Sequence, residues 1–173
     1  ANAVLACNAK PIITDINKDN FFLSISNIKK NITRKTKAII PVHIYGQVCN
    51  IDEILDIAHD YNLKVVEDCA HAVGTFHKSK HVGTLGDTGC FSFYPTKNIT
   101  TAEGGMVTTN SKKLAEKIRQ LRSHGMTKSL KSRYSSEYPW VFDISEPGYN
   151  YRMDELRAAL GISQLKRINK INQ

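Results

Sequence analysis

KAIIPVHIYGQVCNIDEILDIAHDYNLKVVED, residues 37–68, reads as strand, helix, strand. Residues 37–42 (KAIIPV) are an apolar run of the kind found in buried strands. Residues 51–61 place Ile51, Ile54, Leu55 and Ala58 on one face at helical spacing, and Asn50 with Glu53 has the spacing of a capping box. Residues 64–67 (KVVE) form the next strand, which ends at Asp68. The same alternation continues outward. Residues 89–93 (GCFSF) and 105–109 (GMVTT) are further strands. Residues 11–15 (PIITD) read as a short strand and residues 1–9 as the tail of a helix. Residues 24–31 form a helix with Ile25, Ile28 and Ile32 at helical spacing. Residues 111–122 form an amphipathic one, with Leu114, Ile118 and Leu121 inward. A polar, aromatic-spotted loop is expected over 126–149 and a last helix over 154–168, and Gly83, Gly86 and Gly89 punctuate a turn-rich stretch. Strands alternating with helices predict an α/β fold with a mostly parallel sheet, and such sheets bind ligands at the carboxyl ends of their strands. Asp68 and Lys97 both lie just past such ends.

The 173 residues match one domain of roughly 100–200 residues. A chain of that length can bury about two-thirds of its unfolded surface. Hydrophobic residues at 41% and charged residues at 23% exclude a disordered tail. No run approaches the ~20 apolar residues of a membrane span, and the start, ANAVLACNAK, lacks the charged-then-apolar pattern of a signal segment. It opens without Met in what reads as mid-element, so the chain is expected to be a piece of a longer one. Net charge is +8, concentrated in Lys112, Lys113, Lys117, Arg119, Arg122, Lys128, Lys131 and Arg133, with Glu116 the one acid in that stretch. No aromatic residues interleave with the run, which favours a solvated basic face over single-strand nucleic-acid binding. Cys7, Cys49, Cys69 and Cys90 form no close pair of the kind a zinc or redox motif needs. Isolated thiols without a secretion signal point to the cytoplasm. His71, His77 and His81 lie near one another in sequence, but no second ligand cluster accompanies them, and no metal is expected.

Glu67 and Asp68 end a buried-type strand and run into the small residues Cys69 and Ala70. A carboxylate there is costly unless something cationic meets it, although an Asp can also cap a following helix. Lys97 follows the 89–93 strand, with Pro95 stiffening the approach and no acid within five positions on either side. A partly desolvated lysine in such a place can form a Schiff base, while a lone loop lysine is ordinarily only exposed. An acid at one strand end and a lysine 29 positions on, past another strand, suit pyridoxal 5′-phosphate (PLP). The amine condenses with the cofactor aldehyde, and the acid keeps the pyridine nitrogen protonated so that the ring accepts electrons. Ser92 offers a hydroxyl for the phosphate, and backbone amides at a helix start could assist.

The stretches ANAVLACNAKPIITDI, KTKAIIPVHIYGQVCNIDEI, KVVEDCAHAVGT, GDTGCFSFYPTKNITTAEGGMVTT and GYNYRMDELRAALGISQLKRI together resemble the DegT/DnrJ/EryC1/StrS sugar aminotransferases. They stand in family order, and only residues 120–147 match poorly. The resemblance implies a three-layer α/β/α fold, the large PLP-binding domain of fold type I aminotransferases. Residues 1–173 would be a partial cofactor-binding domain, incomplete at both ends. The missing parts would be an N-terminal segment with further phosphate contacts and the aromatic that stacks on the cofactor, and a small C-terminal domain.

By the same resemblance Lys97 is the lysine that carries PLP and later moves protons. Asp68 binds the pyridine nitrogen, His71 lies beside the ring, and Ser92 contacts the phosphate. Asn150 reaches the phosphate of a cofactor in a partner subunit, which implies a homodimer. Arg152 is a candidate for the substrate's phosphates. His43 and Tyr45 lie near the substrate pocket, with a packing role equally open. Glu103, Gly104 and Gly105 shape the loop behind Lys97. A lysine at position 97 argues against the family's dehydratases, which carry histidine there. The implied reaction moves an amino group, with glutamate as donor, onto a keto group of a nucleotide-linked sugar in polysaccharide or secondary-metabolite synthesis.

Other readings lack comparable support. A nicotinamide-dependent oxidoreductase would need a G-x-G-x-x-G turn, and the glycines here are spaced by three. A basic binding module would bind nucleic acid with a steep salt dependence. A PLP-bearing regulator and an inactive aminotransferase fragment are the remaining alternatives.

Overall fold

The computed structural model describes residues 1–127, 132, 134, 135 and 137–173, so Lys128, Lys131 and Arg133 of the basic run lie outside the described residues. The chain divides into two compact units, Ala1–Phe91 and Ser92–Gln173.

In the first unit the strand–helix–strand pattern folds as read. Strand β1 (Ala38–Ile39) pairs in parallel with β2 (Lys64–Asp68), with Ala38 opposite Lys64 and Ile39 opposite Val65. On its other edge β2 pairs in parallel with β5 (Thr88–Ser92), where Val66, Glu67 and Asp68 stand opposite Thr88, Gly89 and Cys90. Helix α3 (Ile51–Asp60) makes the crossover from β1 to β2 and buries Ile51, Ile54, Ile57 and Ala58. These side chains pack with Phe22, Ile28, Ile39, Leu63 and Val65 into one core. Each large apolar side chain so buried contributes about 1.5–3 kcal/mol. Helix α2 (Ile25–Asn31) adds Ile28 to that core and is capped by Ser24, whose hydroxyl accepts from the Asn27 N–H. Helix α1 (Asn2–Ala6) precedes it and buries nothing.

Three expectations fail here, each for a local reason. Residues 11–15 form no strand; a single antiparallel bridge, Ile16 to Leu23, stands nearby. The 37–42 strand stops at Ile39 because Pro41 has no N–H for the ladder. Its faces also alternate: Ile39 and Pro41 are buried, whereas Ile40 and Val42 are exposed. The capping box does not form, since the Asn50 side chain makes no cap bond, although Asp52 and Glu53 stay in the first turn, where the helix dipole favours acids.

A hairpin of β3 (Phe76–His77) and β4 (Lys80–His81) turns through Lys78 and Ser79, both left-handed at φ 46° and 69°. Two consecutive left-handed residues match the twist of a two-residue hairpin. Asp52 accepts from His77 and Lys78, which holds its carboxyl below the usual range. The glycine-rich return to β5 is tight. A Cβ on Gly89 would lie 2.1 Å from the Gly83 Cα, so neither backbone could yield without moving the other.

In the second unit β6 (Gly105–Thr108) leads to α4 (Lys112–Leu121), capped by Ser111, whose hydroxyl accepts from the Leu114 N–H. Leu114, Ile118 and Leu121 are half-buried, and Lys117 pairs with Glu146, a second acid facing the basic run. Of the described residues in 126–149, Ser132 and Tyr134 are helical and the rest lie outside helices and regular strands, with one antiparallel bridge joining Met126 to Ile144. Helix α5 (Glu155–Leu165) starts at Asp154, whose carboxylate accepts from the Arg157 N–H at 2.9 Å, and α6 (Ile168–Ile171) follows. Leu156, Leu160, Ile162 and Leu165 of α5 are all exposed. Among the described residues no helix is long and apolar enough to cross a membrane.

Candidate functional site

Along β2 the side chains alternate, so Val65 and Glu67 are buried on one face while Val66 and Asp68 are half-buried on the other. Glu67 is completely buried, yet no cation meets it. Its Oε1 accepts from the Leu85 and Gly86 N–H groups at 2.8 and 2.7 Å. Its Oε2 accepts from the Gly83 N–H at 2.8 Å and from His43 Nε2 at 3.0 Å. Burial alone would raise this carboxyl, but the four donors outweigh it and hold the group below its usual value. For Glu67, N–H donors, two of them on the punctuating glycines, offset the cost of burial without a cation.

His43 is also fully buried. Its Nδ1 accepts from the Cys49 N–H at 3.3 Å, so Nε2 carries the proton that it donates to Glu67. Both ring nitrogens are engaged, which leaves none for a substrate. Of the two roles the sequence left open for His43, this arrangement favours packing over contact with a substrate. Glu67, by contrast, drew attention in the sequence only as a neighbour of Asp68. The N–H groups that bind it belong to a glycine-rich turn, and that turn was the available signal.

Asp68 projects from the carboxyl end of β2, where the parallel-sheet rule places ligands. Its Oδ1 accepts from the Ala70 N–H at 3.0 Å, an Asx turn; residues 69–75 are turns, so it caps no helix. Among the described residues no cation pairs with it. Three residues on, His71 stacks on Tyr45 with ring centroids 6.0 Å apart and planes 15° from parallel. Tyr45 and Gly46 both turn left-handed, at φ 53° and 77°, inside the 3₁₀ turn Ile44–Gly46. Tyr45 is 76% exposed, and the buried His71 Nδ1 has no hydrogen-bond partner. A buried ring nitrogen without a partner is uncommon in a finished interior.

His77 and His81 each engage other partners. His77 binds Asp52, while His81 donates from Nδ1 to the Val82 carbonyl and accepts at Nε2 from the Gly74 N–H. The thiols of Cys49, Cys69 and Cys90 are not poised to react. Burial is the main cause that pushes Cys49 up to about 12, and Cys69 and Cys90 are raised for the same reason.

In the second unit Lys97 sits on a loop closed at its base through Phe93. The Phe93 N–H donates to the Gly104 carbonyl, and the Phe93 carbonyl accepts from the Thr101 N–H and the Thr100 hydroxyl, at 2.9, 3.0 and 3.0 Å. Thr101, almost fully buried, donates its hydroxyl to the Glu103 carbonyl across a left-handed Ala102 at φ 64°. A Cβ at Gly104 would meet the Thr101 hydroxyl at 2.4 Å, which accounts for glycine there, while Glu103 is exposed. The Lys97 N–H donates to the Tyr94 carbonyl. Its half-buried side chain has no hydrogen bond or ion pair among the described residues. Ser92 Oγ accepts from the Tyr94 N–H at 3.3 Å, so its own proton stays available to donate. Thr100 and Thr101, which close this loop, were not singled out in the sequence.

Asn150 lies on a segment strapped to the end of α4. The Tyr149 N–H donates to the Leu121 carbonyl, the Tyr151 N–H to that of Arg122, and Asn150 bridges Ser123. Tyr149 and Tyr151 stack at 4.8 Å, and Asn150 and Arg152 are exposed.

The GDP-perosamine synthase of Caulobacter vibrioides is 45% identical over 170 residues, 98% of this chain and 43% of that protein. The solved structure of Helicobacter pylori PseC, an aminotransferase involved in the biosynthesis of pseudoaminic acid, matches with a TM-score of 0.88 at 32% identity, over 98% of this chain and 43% of that one. The putative sugar aminotransferase Spr1654 of Streptococcus pneumoniae matches at 30% identity in both its PMP and PLP forms, with TM-scores of 0.88 and 0.84. Each match covers 98% of this chain, and 48% and 46% of the two Spr1654 chains. The chain therefore spans less than half the length of these relatives. The model of the DegT/DnrJ/EryC1/StrS aminotransferase family matches residues 1–173, from one end of the chain to the other, and the chain belongs to that family.

Proposed function

We propose that the protein carries PLP on Lys97 and transfers an amino group from an amino acid, glutamate, to a keto carbon of a nucleotide-linked sugar. The observation that carries this reading is the Lys97 amine, half-buried, unpaired among the described residues, and held on a loop closed by backbone and threonine hydrogen bonds. Each unit, taken by itself, offers groups that suit the cofactor. The first unit supplies a carboxylate without a cation, Asp68, and an orphaned ring nitrogen, His71 Nδ1. The second supplies an amine without an acid and a hydroxyl, Ser92, with its proton to give.

When bound, PLP supplies an electron sink for the carbon that loses or gains a proton. The Asp68 carboxylate holds a proton on the pyridine nitrogen, and His71 flanks the ring. Ser92 binds the phosphate, joined by Asn150 from a second copy of the chain, so the working unit is a homodimer. Lys97 would hold the cofactor through its aldehyde, and its amine would serve as the base that carries the proton at the reacting carbon. Tyr45, exposed beside His71, borders the sugar, and Arg152 meets the nucleotide phosphates. The unpaired cysteines are in keeping with a cytoplasmic enzyme.

The test is to incubate the full-length protein with PLP, reduce with borohydride and map the modified peptide by mass. Label on Lys97, strongly reduced in Asp68→Ala, is the expected result. Label scattered over many lysines, or absent from Lys97, would overturn the assignment.

A further inference from the structure

Asp68 has no side-chain partner that fixes its direction except the Ala70 N–H, so its placement depends on its backbone. On one edge that backbone is held by β5, through the Cys69 N–H to the Cys90 carbonyl at 2.8 Å. On the other edge the regular ladder has already ended at Ile39. Beyond it, the Asp68 N–H donates to the Pro41 carbonyl at 2.8 Å, and the Asp68 carbonyl accepts from the His43 N–H at 3.0 Å. Residues 41–43 resume the β1 register beyond the gap left by Pro41, and both of their backbone bonds to β2 go to Asp68.

What keeps that stretch in place is the ring of His43. It donates to Glu67 Oε2 on one side and accepts from the Cys49 N–H on the other, in complete burial. Glu67 is in turn immobilised by three backbone N–H groups of the 83–86 turn. One side chain of β2 thus clamps the neighbouring segment, and that segment clamps the next residue of β2, which faces the opposite side of the sheet.

We infer that Glu67 and His43 are a positioning pair for Asp68, setting the carboxylate that meets the cofactor's ring nitrogen. This rests on the proposed role of Asp68. Two requirements follow from the hydrogen bonds. Position 43 must offer one donor and one acceptor at once, which a glutamine amide can do and a leucine cannot. The pair must also act through the environment of the ring nitrogen, not through contact with substrate.

The experiment compares full-length wild type, His43→Leu, His43→Gln and Asp68→Asn. Each is titrated with PLP, and the absorbance of the bound cofactor is followed against pH. In His43→Leu, affinity should fall by about tenfold or more, the scale on which supporting partners act. Its spectrum and pH profile should move toward those of Asp68→Asn. His43→Gln should retain the wild-type spectrum. A folded His43→Leu with wild-type affinity and spectrum overturns the inference. If His43→Leu does not fold, His43→Gln decides: a folded protein with the Asp68→Asn spectrum overturns it, and one with the wild-type spectrum supports it. Wild type that binds no PLP at Lys97 would instead remove the proposed function itself.

Discussion

Lys97→Ala is expected to lose transamination by on the order of a thousandfold or more while melting at the temperature of the wild type. General acid–base catalysis by a positioned side chain contributes about 10²–10⁴-fold, and this amine is also the point of attachment. The stability half of the expectation comes from the structure. The Lys97 side chain makes no hydrogen bond or ion pair among the described residues, and the loop under it is closed through Phe93, Thr100, Thr101 and Gly104. Removing the side chain strands no partner, and such substitutions usually change stability by about 0.5 kcal/mol or less. Steady-state rates and thermal melts on the same preparation check both halves. Turnover near the wild-type rate would contradict the catalytic assignment, and a collapse in melting temperature would contradict the structural account of the loop.

Glu67→Ala should do the reverse, damaging the fold before any chemistry. Without the carboxylate, the Leu85 and Gly86 N–H groups and the His43 Nε2–H lose their acceptor in the interior. An orphaned buried donor costs about 1–3 kcal/mol, so the loss should reach about 4 kcal/mol, a large share of a domain's 5–15 kcal/mol. Urea unfolding measures it. The effect also has a pH signature. The native carboxyl lies below its ordinary value because its hydrogen bonds outweigh the opposing effect of burial. Its contribution is therefore fully present above the unfolded value of about 4.3 and is lost as pH falls through the lower native one. The stability gap between wild type and Glu67→Ala should narrow in that acid range. A gap that stays constant down to pH 3 would show that the charge is not what stabilises.

How far the fold could be read in advance depended on whether a signal was local. Helix α3 and strand β2 were legible because spacing and burial agree: Ile51, Ile54 and Ala58 recur at helical spacing, and all three are buried. Ser24 and Ser111 stand where the caps form, just ahead of apolar periodic runs. The 11–15 strand was not legible, because a short apolar stretch becomes a strand only when an edge is free to receive it. Asn50 and Glu53 had the right spacing, but side-chain direction at a cap is decided by the entering loop, which spacing does not encode.

The candidate site divides in the same way. Asp68 and Lys97 stood out as an acid and a lysine just past strand ends, and that pairing suggested PLP. The clamp made by His43 and Glu67 did not stand out, because it joins positions 24 apart with N–H groups a further 16 to 19 residues on. Backbone donors leave no residue-type signature beyond the glycines that let the turn approach.

The measurement that bears most directly on the account is amino-group transfer itself. The full-length protein, loaded with PLP, is given ¹⁵N-glutamate and a panel of 3-keto and 4-keto nucleotide sugars, and the products are weighed. The account predicts a ¹⁵N-amino nucleotide sugar from at least one member of the panel, absent with Lys97→Ala. A protein that holds PLP on Lys97 yet leaves every sugar unlabelled would contradict it.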